Sequence, residues 1–169
     1  MSRSKVFRDP RKLAKRIAAA RASGKTIVFA NGCFDILHVG HVRYLQGAAA
    51  EGDVLVVAVN TDASYVKNRK QRPVVPDRER FEMIAAIGCV DYVVALRDKT
   101  ADGLIRLFRP QVHAKGTDYS SKTITERATV EAIGGRIAIV GDPKDHSTTD
   151  LLGRIRGAHS SVSRGSKRR

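Results

Sequence analysis

A chain of 169 residues with 42% apolar residues, five prolines and two cysteines fits one soluble domain with short tails, and leaves Cys33 and Cys89 without a disulfide framework, as in the reducing cytoplasm. Its longest apolar runs, "VLVVAV" and "YVVAL", are far too short to cross a bilayer, and "MSRSKVFRDP" has charge but no apolar segment of a signal peptide. The formal charge of +14 belongs to the ends: residues 1–25 hold nine Lys or Arg against Asp9, residues 151–169 hold six and no acid, and residues 26–153 are neutral, which argues against a nucleic-acid-binding core.

In chain order, "KLAKRIAAAR" has helical spacing and closes at "SGK". "TIVFA" is a short buried strand, and "GHVRYLQGAAAEG" a helix ending near Gly52. "DVLVVAVN" is a strand of the continuous apolar kind found in parallel sheets. "VVPDRERFEMIAAIG" turns at Pro76 and runs as a helix to Gly88. "VDYVVAL" is the third strand, and "TADGLIRLFRP" a helix closed by Pro110. "QVHAKG" is the fourth strand, "TITERATVEAIGG" a helix stopped by two glycines, and "GRIAIVG" the fifth strand. "STTDLLGRIRG" opens with capping residues and forms the last helix.

Strands separated by helix-length connections predict an α/β fold, a doubly wound parallel five-stranded sheet with helices on both faces. Three units are expected: a basic N-terminal helix or extension over 1–25, a catalytic domain over 26–157, and a disordered basic tail over 158–169. Sheets of this kind bind ligands beyond the carboxyl ends of their strands. "NGCFDILHVGH", "NTD", "KGTDY" and "STT" all fall near such ends.

The first of these clusters carries the chemistry. Gly32 allows a close approach to a ligand. His38 and His41, three positions apart, share one face of a first helical turn, and Gly40 leaves room between them. Free amides and the helix dipole add to that attraction for an anion. Two imidazoles there form a cradle for a phosphate chain. Phosphoryl or nucleotidyl transfer needs charge stabilisation and positioning rather than a protein nucleophile, with a metal ion bridging the polyphosphate. Cys33, His38 and His41 could also be read as three zinc ligands, but a fourth at suitable spacing is lacking, so no protein-held metal is expected. Ser147 also reads as an ordinary helix N-cap, and Asp118 as a turn residue.

"NGCFDILHVGHVRYLQGA" resembles the signature of the cytidylyltransferase-like nucleotidyltransferase superfamily, which carries H-x-G-H. "RPVVP" and "KGTDY" bring the resemblance to the heptose 1-phosphate adenylyltransferase branch, and with "STTDLLGRI" it runs over about Leu13 to Ile155. The resemblance implies a Rossmann-like fold and transfer from ATP, with Mg²⁺, to D-glycero-β-D-manno-heptose 1-phosphate. It implies that His38 and His41 bind the triphosphate and stabilise the transition state. Gly32, Cys33, Phe34 and Gly40 would lie against the nucleotide, with Lys115, Gly116 and Asp118 framing base and ribose. Ser147, Thr148 and Thr149 would donate to phosphate. Asp35 and Asp62 would line the acceptor side, and Lys67 or Lys70, with Lys70 the choice for catalysis, would steady the leaving pyrophosphate. A homodimer is implied as well. Thr117 departs from the glycine usual in this branch, and a sugar-kinase domain fused to some heptose enzymes is not expected here. The rival readings are a cytidylyltransferase for glycerol 3-phosphate or another small phosphorylated alcohol, and a nucleic-acid- or nucleotide-binding module using the basic ends.

Overall fold

Six parallel strands make one sheet in this computed structural model, which describes residues 5–64, 73–119, 124–142, 148 and 151–155. The strands are β1 (Val6–Phe7), β2 (Ile27–Gly32), β3 (Val54–Asn60), β4 (Tyr92–Leu96), β5 (Val112–Gly116) and β6 (Arg136–Val140), in the spatial order β1-β4-β3-β2-β5-β6. The helices are α1 (Pro10–Ala22), α2 (Val39–Ala49), α3 (Asp77–Ala86), α4 (Asp102–Phe108) and α5 (Arg127–Ala132). Thr148 and residues 151–155 are also helical. Among the described residues no helix is long and apolar enough to cross a membrane.

The expected five-stranded sheet is therefore corrected to six. The extra strand, β1, pairs Val6 with Val93 and Phe7 with Val94 at the edge of the sheet. Two residues between Lys5 and Arg8 are too few to display a strand period in the sequence. The following helix packs on the same sheet: Asp9 caps α1 through the amide of Arg11 at 2.9 Å, Pro10 opens it, and Leu13 and Ile17 on one face are fully buried. Burying each such side chain contributes about 1.5–3 kcal/mol. Arg21 then ties the end of α1 to α4 by donating to the carbonyls of Phe108 at 2.7 Å and Arg109 at 3.0 Å.

The alternation of side chains along the central strands sorts the core into two layers. Val28, Ala30, Leu55, Val57 and Val59 pack with Leu45 of α2 and Ile84 of α3. Ile27, Phe29, Val56 and Ala58 face the other way, onto Leu13 and Ile17 of α1, Ile105 and Phe108 of α4, and Val130 just inside α5. Both faces of β2 and β3 are covered, which is why their sequences are apolar without alternation.

β2 and β5 are neighbours in the sheet but not in the chain, with Phe29 opposite His113. From that seam, β2 leads to α2 on one face and β5 leads to α5 on the other. Their carboxyl ends consequently open a crevice between two connections that diverge.

Candidate active site

The stretch after β2 folds around Phe34. Phe34 takes a left-handed backbone, φ 50°, a conformation that costs a non-glycine residue about 1–2 kcal/mol. Its buried ring lies beneath the turn, where a Cβ on Gly32 would meet it at 3.1 Å. The same ring packs edge-on to His41 at 5.4 Å and stacks on Tyr44 at 6.4 Å. Tyr44 in turn donates to the carbonyl of Ala114 at 2.9 Å, joining α2 to β5, and burial pushes its phenol well above the usual range.

On this base His38 and His41 stack, ring centroids 3.9 Å apart and planes 24° from parallel. His38 is the N-cap of α2 and caps nothing with its side chain, while His41 sits in the first turn. The amides of Val39 and Gly40 find no acceptor among the described residues, and Nδ1 of His41 is buried without a hydrogen-bond partner. Burial, and secondarily the nearby His38, lower the pKa of His41 to about 4 against the pull of Asp35. Near neutral pH the helix start therefore presents a neutral His41 ring and amides that can donate to an anion.

Asp35 is buried, and its Oδ1 accepts from the amides of Val74 at 2.7 Å and Val75 at 3.0 Å. It thereby fastens the "RPVVP" segment to the histidine loop. Beside it runs a feature that the sequence reading missed. Arg80 of α3 is fully buried, and its guanidinium donates to the carbonyls of Val75 at 2.9 Å, Cys33 at 2.5 Å and Asn60 at 2.8 Å, and to Asp62 Oδ1 at 2.5 Å. Asp62 Oδ2 accepts from the amide of Asp77, and Asp77 Oδ2 from the amide of Asp62, at 3.1 and 3.2 Å. Asp62 thus joins the end of β3 to the start of α3 and holds Arg80. A signal was available: Arg80 lies four residues before Ile84, on the buried stripe of its helix.

Across the crevice, β5 ends in a second polar cluster. Lys115 is buried, 3.1 Å from Glu126 Oε2 and 3.1 Å from Asn31 Oδ1, with the Tyr119 ring 5.0 Å away. His113 Nε2 is 3.0 Å from the same Asn31 oxygen. Burial, reinforced by Lys115, lowers the pKa of His113, so that ring is neutral. Burial alone would raise the Glu126 carboxyl, but Lys115 beside it brings it below the ordinary range. Neither His113, Glu126 nor Asn31 was singled out in the sequence. Gly116 and Asp118 sit in the turn closed by Tyr119 N to Gly116 O at 3.1 Å, where a Cβ on Gly116 would meet Asp118 Oδ1 at 2.8 Å. The Thr117 hydroxyl donates to the Asp142 carbonyl at 2.6 Å, and Arg43 of α2 pairs with the Asp142 carboxylate.

The fold thus brings Gly32, Cys33, Phe34, Asp35, His38, Gly40, His41, Lys115, Gly116 and Asp118 to the carboxyl ends of β2 and β5, and Asp62 to that of β3. Thr148 is helical and half-buried. Lys67, Lys70, Ser147, Thr149 and the tail over 158–169 lie outside the described residues.

The two depressed histidines give acid sensitivity with a definite sign. The unfolded chain takes up these protons near pH 6.5, whereas folded His41 resists until about 4 and His113 resists too. Their stability contribution is therefore complete above pH 6.5 and is lost as pH falls through that window, by up to about 1.4 kcal/mol per pH unit for each histidine. Thermal midpoints measured between pH 7.5 and 4.5 should fall accordingly, with a shallower slope in His41→Gln.

A doubly wound sheet with paired histidines at a helix N-terminus over its switch point has the form of a nucleotide-binding site suited to phosphate chemistry, and the family match makes it that of a nucleotidyltransferase. The chain belongs to the cytidylyltransferase-like family, whose profile matches residues 29–155. It is 45% identical over 148 residues to the bifunctional protein HldE of Geobacter sulfurreducens, covering 87% of this chain and 30% of that protein. It is 43% identical over 153 residues to the HldE of a Bradyrhizobium species, covering 90% and 31% respectively. The chain thus spans about a third of the length of these relatives. A crystal structure described as the lipopolysaccharide core biosynthesis protein from Thermoplasma volcanium superposes with a TM-score of 0.63 at 26% identity, covering 72% of this chain and all of the other.

Proposed function

We propose that the chain transfers the adenylyl group of ATP to D-glycero-β-D-manno-heptose 1-phosphate, giving ADP-heptose and pyrophosphate. The observation that carries this reading is the 45% identity to a bifunctional HldE across 87% of this chain, a span that takes in both walls of the crevice. The combination of "RPVVP" and "KGTDY" with H-x-G-H supports the heptose branch, and the structural neighbour, a lipopolysaccharide core biosynthesis protein, agrees with it.

A phosphate oxygen of the sugar attacks the α-phosphorus of ATP in line. The bond from that phosphorus to its bridging oxygen breaks, and pyrophosphate leaves with the electron pair. His38, His41 and the first amides of α2 donate to the oxygens that gain charge, from positions set before substrate arrives. Phe34 fixes the height of His41, and the Asp35 and Arg80 contacts fix the loop around it. Among the described residues no three His, Cys, Asp or Glu side chains converge on an ion. Mg²⁺ would enter with ATP as part of the substrate and shield the polyphosphate charge.

The deciding experiment measures pyrophosphate release from ATP and CTP with heptose 1-phosphate, glycerol 3-phosphate and other phosphorylated acceptors. The expected result is turnover with ATP and the heptose phosphate at a kcat/KM well above every other pair. Preference for CTP with a phosphorylated alcohol would overturn the assignment while keeping the chemistry.

A further inference from the structure

The wall of the crevice opposite the histidines is organised around one carboxamide. Asn31 is the next-to-last residue of β2, half-buried at the seam with β5. Its Oδ1 lies 3.1 Å from Lys115 Nζ and 3.0 Å from His113 Nε2. The orientation of a carboxamide is ordinarily inferred from its surroundings. Here Lys115 decides it, because an ammonium has donors and no acceptor, so the atom facing it is the oxygen. His113, neutral in its buried position, must then present Nε2–H as the second donor. With the oxygen held from two sides, the amide nitrogen is turned away from both donors. Its two N–H groups find no acceptor among the described residues.

The machinery behind that oxygen is elaborate for a structural strut. Lys115 and Glu126 are each only 4% exposed, and form an ion pair at 3.1 Å. A buried ion pair adds little net stability compared with apolar side chains of similar volume. What this one does supply is a fixed ammonium under Asn31, and hence a fixed direction for its donors.

We propose that Asn31 is a nucleotide-binding residue, its amide N–H groups donating to an acceptor oxygen of the bound nucleotide, with Lys115 and His113 as positioning residues behind it. The inference rests on the nucleotidyl-transfer reading. Position selects the nucleotide over the sugar phosphate. Asn31 adjoins Gly32 at the seam of β2 and β5, where the crevice opens, whereas Asp62 and Arg80 occupy the β3 side.

Asn31→Asp separates a donor from a strut. The aspartate keeps an oxygen for Lys115 and His113, and replaces the outward N–H groups by a second oxygen that repels phosphate. Titration calorimetry with a non-hydrolysable ATP analogue, beside thermal melts of the same proteins, reads the difference. The expected result is a melt at or above that of the parent and analogue affinity at least about tenfold weaker, the scale of a lost hydrogen bond to a charged ligand. Parent-like affinity in folded Asn31→Asp overturns the proposal, as does a loss confined to the KM for the sugar phosphate. Should Asn31→Asp fail to fold, Asn31→Ser takes its place. A tenfold weaker analogue complex then supports the proposal and an unchanged one overturns it. The binding measurement needs no turnover, so an enzyme that binds the analogue through Asn31 yet adenylylates no sugar phosphate would refute the proposed acceptor alone. Absence of analogue binding by the parent protein overturns both.

Discussion

His41→Ala should lower kcat by roughly 10²–10³-fold, the loss seen when one preorganised donor to a developing negative charge is removed. The effect is large because the ring has been placed without help from substrate. Phe34 supports it from below and His38 stacks on it at 3.9 Å, so its geometry exists before the reaction begins. The fold should survive the change. Alanine is a good helix former, and the α2 residues that fill the core, Leu45 and Ala48, lie on later turns. A thermal midpoint within a few degrees of the parent, together with the lost turnover, is the expected pair of readings. His38→Ala should behave alike, with the additional result that His41 loses the neighbour that helps to lower its pKa. Because the two rings stack on each other and are proposed to hold one phosphate chain, the double substitution should cost much less than the product of the single effects. Steady-state pyrophosphate release checks all three variants. Full activity in either single variant would remove the role given to the cradle.

What could be read in the sequence follows from the range of each interaction. The central strands are legible because burial on both faces forces a continuous apolar run, as in "VLVVAV". The histidine cradle is legible because its parts are local: one glycine turn, one helix start, two rings three positions apart. β1 was missed because its existence depends on Val93 and Val94, nearly ninety residues away. Arg80 and Glu126 were missed for the same reason. Their meaning lies in partners at Cys33, Asn60 and Asp62, and at Lys115, that only the folded sheet brings together. Asp62 shows the intermediate case. Its position after a strand marked it as a site residue, but its partners, Arg80 and the amide of Asp77, meet it only in the folded sheet.

Arg80→Met is the substitution expected to cost the most stability. Methionine keeps much of the buried stem and removes all five N–H donors. The carbonyls of Val75, Cys33 and Asn60 then lose a charged donor in a place that water does not reach easily, and Asp62 loses its cation. Breaking a buried charged network costs about 3–5 kcal/mol, and the half-exposed Asp62 places this case at the lower end. For a domain of this size about 3 kcal/mol corresponds to a fall of roughly 6–12 °C in thermal midpoint. Activity should fall at temperatures where the variant is still folded. The Cys33 carbonyl that Arg80 holds belongs to the turn beneath His41, and the Val75 carbonyl to the segment that Asp35 binds, so releasing them loosens the cradle from both sides. Arg80→Lys should recover only part of either loss, since one ammonium cannot reach four acceptors arranged for a planar fork. Melting curves and kcat measured well below the midpoint separate the two effects. An Arg80→Met enzyme that melts near the parent and turns over normally would show that the strand ends are held by something other than this guanidinium.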